Sequence, residues 1–166
     1  MAFVKATRDA ILKPLQTVAG IVEKRHTLPI LANVLMRKIG DTVTFVATDV
    51  EIQIETSAQI GSGAENQATT ISARKLLDIL RALPDKSEQD VSLNLSNRKA
   101  SLSAGKSRFS LQTMAADDFP AMTVSDSFMA SFTTPQRTLR HLLQMVHFAM
   151  AHQDIRYYLN GLLLVT

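Results

Sequence analysis

TISARKLLDIL, residues 70–80, joins a short strand-like run to a helix that opens with two cations. Leucines recur at helical spacing from Leu76 to Leu83, which gives this helix one apolar face. Pro84 follows at once and is expected to end the helix. The stretch therefore predicts a strand that leads directly into an amphipathic helix.

The same arrangement occurs twice more in the chain. Residues 3–12 read FVKATRDAIL, and residues 132–139 read FTTPQRTL. Thr7 is expected to cap the first of these helices, and Thr134 is expected to cap the last, with Pro135 at its first helical position. The intervals of roughly 60–70 residues are long for a solenoid repeat, so they indicate a duplicated supersecondary block.

Between the helices, short segments alternate apolar and polar residues with a period of two. Val43, Phe45 and Ala47 form one such series, and similar series lie in 91–95, 100–104 and 109–111. This period predicts antiparallel strands with one buried face. The fold class is therefore α+β, with a strand-helix-strand-strand-strand block used twice and helices on one face of the sheet.

The repeats also predict the domain organisation. Residues 1–120 hold two complete blocks and are expected to form the first domain. Residues 121–127 are expected to be a linker, and 128–166 begin a second domain with the third copy of the block. The final apolar run, 162–165, is expected to be a core strand without its partner, so we expect the chain to be an N-terminal fragment.

Composition limits the function classes. The chain has 166 residues, of which 46% are hydrophobic, and no cysteine, so a sizeable core without disulfides or thiolate metal sites is expected. No phosphate-binding glycine loop or nucleophile motif is present, which argues against an enzyme, and we expect no cofactor and no metal. Absence of a signal peptide and of a long apolar run favours a cytoplasmic, non-membrane protein. A net charge of +3 permits a polyanionic partner.

The segment AMAHQDIRYYLNG, residues 149–161, contains the only two tyrosines of the chain. Adjacent aromatic rings beside an arginine and a glutamine suit nucleic acid, because bases stack on rings and phosphates accept hydrogen bonds. Tyrosines also commonly pack on a core with the hydroxyl outward. The residues alone leave both interpretations open.

Several segments together resemble the bacterial sliding clamp, the β subunit of DNA polymerase III. They are TLPILAN (27–33), ATDVE (47–51), ARK (73–75), KSRFSL (106–111) and MAHQDIRYYLNG (150–161). The resemblance runs from Phe3 to the last residues. It implies a DNA-clamp fold and a processivity factor for DNA replication: a ring of two protomers, each with three similar domains, whose helices line a hole around duplex DNA and whose sheets lie outside.

The resemblance also implies partners and DNA contacts. Such a clamp is not an enzyme; it binds duplex DNA without sequence preference and tethers the DNA polymerase III catalytic subunit. Clamp loaders and repair polymerases bind it through short linear motifs. The DNA-binding residues that the resemblance implies are Lys24 and Arg25 in an inner loop, Arg74 at the start of the second helix, and Gln153, Tyr157 and Tyr158.

Two further sites follow from the resemblance. Arg156, Tyr158 and Leu159 correspond to one wall of the pocket that binds partner peptides, and this pocket is expected to be partial here. The ring interface is expected to use an edge strand, with residues Lys106, Arg108, Phe109 and Leu111, and with Lys75 assisting. Because a third domain is absent, we expect that the chain alone cannot close a two-protomer ring. The alternative is a stand-alone interaction module with the clamp fold that does not encircle DNA.

Overall fold

The computed structural model describes residues 2–22, 28–84, 90–96, 98–123 and 131–165. Contacts divide the chain into two compact units, Met1–Thr123 and Val124–Thr166. Each unit is described by itself.

The first unit contains two copies of one block. The first copy comprises β1 (Val4–Thr7), α1 (Arg8–Ala19), β2 (Asn33–Ile39), β3 (Thr42–Thr48) and β4 (Gln53–Gln59), with a short 3-10 turn, Pro29–Ala32, before β2. The second comprises β5 (Gln67–Ser72), α2 (Ala73–Ala82), β6 (Asp90–Ser96), β7 (Lys99–Ala104) and β8 (Ser107–Met114). The predicted duplication of strand-helix-strand-strand-strand is confirmed.

All eight strands form one antiparallel, curled sheet in the order β1-β6-β7-β8-β5-β2-β3-β4. The two halves of this sheet join where β8 meets β5, and only two residue pairs connect them, Thr70 with Met114 and Ile71 with Thr113. Each half consists of the three hairpin-connected strands of one block and the first strand of the other block. The blocks therefore exchange their first strands, which ties the two copies into a single domain.

The main core lies between the helices and one face of the sheet. Ile11, Leu15 and Val18 of α1 belong to the same buried cluster as Leu76 and Leu80 of α2. Both helices therefore lie on one face of the sheet, as the alternating patterns predict. Leucines at helical spacing bury their apolar faces there and leave the opposite helix faces, with their charged residues, exposed.

A smaller cluster covers the other face of β2 and β3. Leu35 and Val46 are opposite each other in the register and pack with Ile30 and Phe119. The segment after β8 thus crosses this face, and the Met122 N–H donates to Gln53 Oε1 at 2.7 Å. Both faces of β2 and β3 are therefore covered near this cluster, whereas the period-two pattern of β3 predicted a single buried face.

β1 and β4 are the strands at the two ends of the sheet, and the chain brings them close together at Gly61. This residue follows β4 and forms an isolated antiparallel bridge with Val4 of β1. Lys38 lies close by, is 2% exposed, and donates from Nζ to the carbonyl oxygens of Ser62 and Gly63 at 2.7 and 2.8 Å. These bonds satisfy a buried ammonium group and fix the loop that closes the curl.

The second unit contains α3 (Gln136–Val146) and two 3-10 turns, His147–Ala149 and Tyr157–Asn160. The strand predicted over 162–165 is wrong, since these residues form no regular structure. The strand-like run before α3 is not a strand either. Strand geometry persists in a sheet because a neighbouring strand satisfies the backbone groups, and the described part of this unit supplies no such neighbour. In the described ranges, no helix is both long and apolar enough to cross a membrane.

The predicted helix caps need correction. Thr7 does occupy the cap position of α1, but its hydroxyl makes no capping hydrogen bond. Pro135, not Thr134, precedes the first helical residue of α3, and its carbonyl accepts from the N–H groups of Thr138 and Leu139. Neither helix therefore has a side-chain cap at its N-terminus, so capping does not contribute to the stability of either one.

Candidate nucleic-acid interface

The first turn of α2 presents two cations to solvent. Arg74 and Lys75 are exposed, and this turn contains no acidic residue. A helix N-terminus carries partial positive charge, so cations there cost roughly 0.3–1 kcal/mol each instead of stabilising the helix. The start of α2 is therefore an exposed, positively charged surface that can attract anions.

Asp78 neutralises this charge only weakly. Arg74 Nε lies 3.9 Å from Asp78 Oδ2, and about two thirds of each side chain is exposed. Exposed pairs of this type contribute about 0.3–0.5 kcal/mol and hold the side chains loosely. Arg74 can therefore leave Asp78 for a phosphate at small cost. Arg81, in the last turn of α2, adds another exposed cation on the helix layer.

The predicted inner-loop contacts, Lys24 and Arg25, lie outside the described residues. The remaining predicted DNA contacts fall in two places. Arg74 belongs to the first unit, whereas Gln153, Tyr157 and Tyr158 belong to one short segment of the second. Within that segment the tyrosine rings meet edge to face, with centroids 6.0 Å apart.

The tyrosine rings do not pack on a core. Tyr157 is 83% exposed and Tyr158 is 68% exposed. The alternative interpretation, that the tyrosines pack on a core, therefore does not match the structure of this segment. Two exposed rings in edge-to-face contact offer flat faces on which bases can stack.

Arg156, which the resemblance assigns to a peptide pocket, is engaged within its own segment. Its Nε and Nη2 donate to Oδ1 and Oδ2 of Asp154, both at 3.1 Å, and its backbone N–H donates to Asp154 Oδ1 at 2.8 Å. Hydrogen bonds from the Arg156 side chain, and then from its backbone, hold the pKa of Asp154 below its ordinary value. The same pairing raises the pKa of Arg156. Asp154 is thus the anion that fixes the guanidinium, a role that sequence reasoning missed.

The predicted interface strand is β8, and its position in the sheet corrects one expectation. It is not a terminal strand, because β7 and β5 flank it. However, β5 pairs only with Thr113 and Met114, whereas β7 pairs with Ser107 through Gln112. In the described part of the chain, most of β8 therefore pairs on one side only.

Side chains along this open stretch alternate in burial. Phe109 and Leu111 face the core, and Arg108 is exposed and has no ion pair among the described residues. Lys106 lies in the exposed turn before β8, whereas Lys75 is on α2. An unpaired backbone edge with nearby cations can accept a further strand that carries acidic side chains.

Residues 1–123 match the family described as the DNA polymerase III beta subunit, N-terminal domain. The chain belongs to this family. The beta sliding clamp of Pseudomonas putida is 43% identical over 157 residues, and that of Escherichia coli K12 is 42% identical over 159 residues. These alignments cover 95% and 96% of the chain but only 42% and 43% of the relatives.

Solved clamp structures agree with this assignment. The DNA polymerase III subunit beta of Pseudomonas aeruginosa matches 97% of the chain with a TM-score of 0.88 and 41% identity. The corresponding protein of Caulobacter crescentus matches 95% with a TM-score of 0.86 and 36% identity. The matched region covers 43% of the Pseudomonas aeruginosa protein and 42% of the Caulobacter crescentus protein. The predicted clamp fold is therefore confirmed.

Family membership also bears on catalysis. Beta sliding clamps are non-catalytic, and the prediction that the chain is not an enzyme is confirmed at the level of the family. The chain spans less than half the length of the relatives that it matches.

Proposed function

We propose that this chain supplies the N-terminal part of a cytoplasmic, DNA-encircling clamp that tethers a replicative polymerase. The observation that supports the proposal most strongly is the continuous match of 95% of the chain to relatives named beta sliding clamps. In this proposal, residues 1–120 are the first clamp domain, 121–127 link it to the next, and 128–166 begin the second.

The proposed DNA contacts are electrostatic and independent of base sequence. Arg74 would bind phosphate from the exposed start of α2, and Lys24 and Arg25, which lie outside the described residues, would add positive charge. Gln153, Tyr157 and Tyr158 would meet the DNA from the second unit. Backbone charge contacts bind weakly and are sensitive to salt, which suits a clamp that must slide.

The proposed ring interface is the open side of β8. A strand of a second protomer would complete the backbone hydrogen bonds of Ser107 through Gln112. Lys106, Arg108 and Lys75 would pair with its acidic residues, and Phe109, which is only partly buried, would add apolar contact, whereas Leu111 is buried in the core and would support the strand from beneath. Strand addition of this kind gives affinity through the backbone and specificity through alternate side chains.

The proposed partner pocket is only partly represented here. Tyr158 and Leu159 would form one wall for short linear motifs of the polymerase, the clamp loader and repair polymerases. Arg156 would contribute mainly by shaping this wall, since Asp154 engages its guanidinium.

A chimera tests the function directly. The chain is joined to the part of the Pseudomonas putida clamp that lies beyond the matched region. We expect this chimera, once loaded, to stay on circular DNA, to slide off after the DNA is cut, and to lengthen the products of primer extension. The Pseudomonas putida clamp itself is the positive control. Equal retention on circular and linear DNA, together with binding of partner proteins, would instead support the stand-alone interaction module.

Arg74→Gln tests the proposed phosphate contact. In the isolated chain at low salt, we expect the variant to bind a labelled duplex several-fold more weakly. The slope of log affinity against log salt should fall by about 0.9, the contribution of one phosphate contact. Because Arg74 is exposed, the free energy of unfolding should change by less than about 0.5 kcal/mol. Fluorescence anisotropy across a salt series measures the first two quantities, and urea unfolding measures the third.

Lys99→Gln is the matched control. Lys99 is also an exposed cation, but it lies on β7, on the sheet face that the helices do not cover. Its replacement removes the same charge and should leave the salt slope almost unchanged. Equal slopes for the two variants would mean that the net charge of the protein, and not the position of Arg74, determines binding.

A further inference from the structure

One amide side chain closes the segment that carries the tyrosines. The backbone N–H of Asp154 donates to Asn160 Oδ1, and Asn160 Nδ2 donates to the Asp154 carbonyl, both at 3.0 Å. Asn160 therefore satisfies both backbone groups of a residue six positions away. Asparagine is suited to this task because its amide group is a donor and an acceptor at once.

Further bonds complete the closure. The Ala151 N–H donates to the Leu159 carbonyl, and the Leu159 N–H donates to the Arg156 carbonyl, both at 2.9 Å. The three bonds from Arg156 to the Asp154 carboxylate lie inside this loop. Gln153 adopts φ +57°, a left-handed conformation that is uncommon for a residue other than glycine. The closed loop maintains this conformation.

Among the described residues, no apolar core packs against the rings that this loop carries. Ile155, Tyr157 and Tyr158 are 98%, 83% and 68% exposed. The orientation of the rings therefore depends on the polar bonds of the loop and on the contact between the two rings. We propose that Asp154 and Asn160 are positioning residues that lock residues 151–160 into a preformed platform for Tyr157 and Tyr158. This inference rests on the proposed contact of these tyrosines with DNA.

The lock has a consequence for affinity. Rings that are already oriented lose less conformational entropy on binding, so preorganisation lowers the cost of association. Opening the lock should leave the phosphate contacts intact and weaken only the contribution of the rings. We therefore expect a loss of about two- to tenfold in affinity with an unchanged salt slope.

Tyrosine fluorescence reports the motion of the two rings without an added label. The chain has no tryptophan, and its two tyrosines are Tyr157 and Tyr158. The test variants are Asn160→Ala, which removes both bonds to Asp154, and Asn160→Leu, which keeps the approximate size and the charge but loses both the Nδ2 donor and the Oδ1 acceptor. In time-resolved measurements on the full chain, both variants should show faster depolarisation of tyrosine emission. Binding to a labelled duplex with a single-stranded overhang is measured in parallel.

His152→Ala is the matched control, because His152 is exposed in the same segment and its side chain makes no hydrogen bond among the described residues. Far-ultraviolet circular dichroism confirms that the variants are folded. Faster depolarisation with weaker DNA binding supports the lock and the DNA contact together. Unchanged depolarisation in both Asn160 variants overturns the lock. Faster depolarisation in the Asn160 variants supports the lock. If these variants, and also Tyr157→Ala, bind DNA normally, the proposed DNA contact is overturned.

Discussion

Phe45→Ala is expected to destabilise the first unit by about 3–5 kcal/mol. Phe45 is fully buried in β3, opposite Met36 of β2, and belongs to the core cluster between the sheet and the helices. Removing its ring loses apolar burial and leaves a cavity that a tightly packed core fills only in part. Domains of this size are stable by about 5–15 kcal/mol, so the loss is a large share of the total.

Urea unfolding followed by circular dichroism measures this effect, which should appear as a lower midpoint with an unchanged slope. Phe148→Ala is the matched control, because the same ring is removed from a side chain that is 78% exposed. That change should cost less than about 0.5 kcal/mol. Equal destabilisation of the two variants would mean that Phe45 is not part of a packed core between the sheet and the helices. Because this core supports α2, Phe45→Ala should also lower the affinity for DNA.

The sequence predicted the fold of the first unit well because periodicity reports burial. Leucines from Leu76 to Leu83 identify a helix with one apolar face, and the series around Phe45 identifies strands with one buried face. The second buried face of β2 and β3 could not be predicted in the same way. Part of its cover comes from Phe119, which lies far along the chain, and no local pattern reports such a contact.

The details of the candidate sites depend on pairings that the sequence does not encode locally. That β8 is open on one side follows from its pairing with β5 at only two residues. Likewise, the strand predicted over 162–165 needs a neighbour, and an apolar run alone cannot supply one. Asp154 and Asn160 were missed as a pair, although Asp and Asn residues commonly bond to nearby backbone groups. Their signal is present in the sequence, but their mutual geometry is visible only in the structure.

Gly61→Ala should destabilise the first unit by about 1–3 kcal/mol, because it inserts a methyl group where backbone atoms already meet. A Cβ at this position would lie 2.7 Å from the Gly40 carbonyl oxygen and 2.9 Å from the Asp41 carbonyl carbon. Backbone cannot rotate away as a side chain can, so the β2–β3 turn or the bridge to Val4 must shift. The bond from the Gly61 N–H to the Asp41 carbonyl, now 2.8 Å, would lengthen. Urea unfolding measures the loss, and hydrogen exchange of the Gly61 amide locates it.

Gly20→Ala is the matched control for this substitution. Gly20 has helical dihedral angles at the end of α1, and an added Cβ would meet no atom within 4 Å. The same change of residue should there stabilise the protein by about 0.4–1 kcal/mol, because alanine restricts the unfolded chain. Opposite signs for the two variants would show that close packing at the bridge, and not the loss of glycine, causes the effect. Equal stability of Gly61→Ala and the unmodified protein would mean that β1 and the loop after β4 do not hold the curl of the sheet closed.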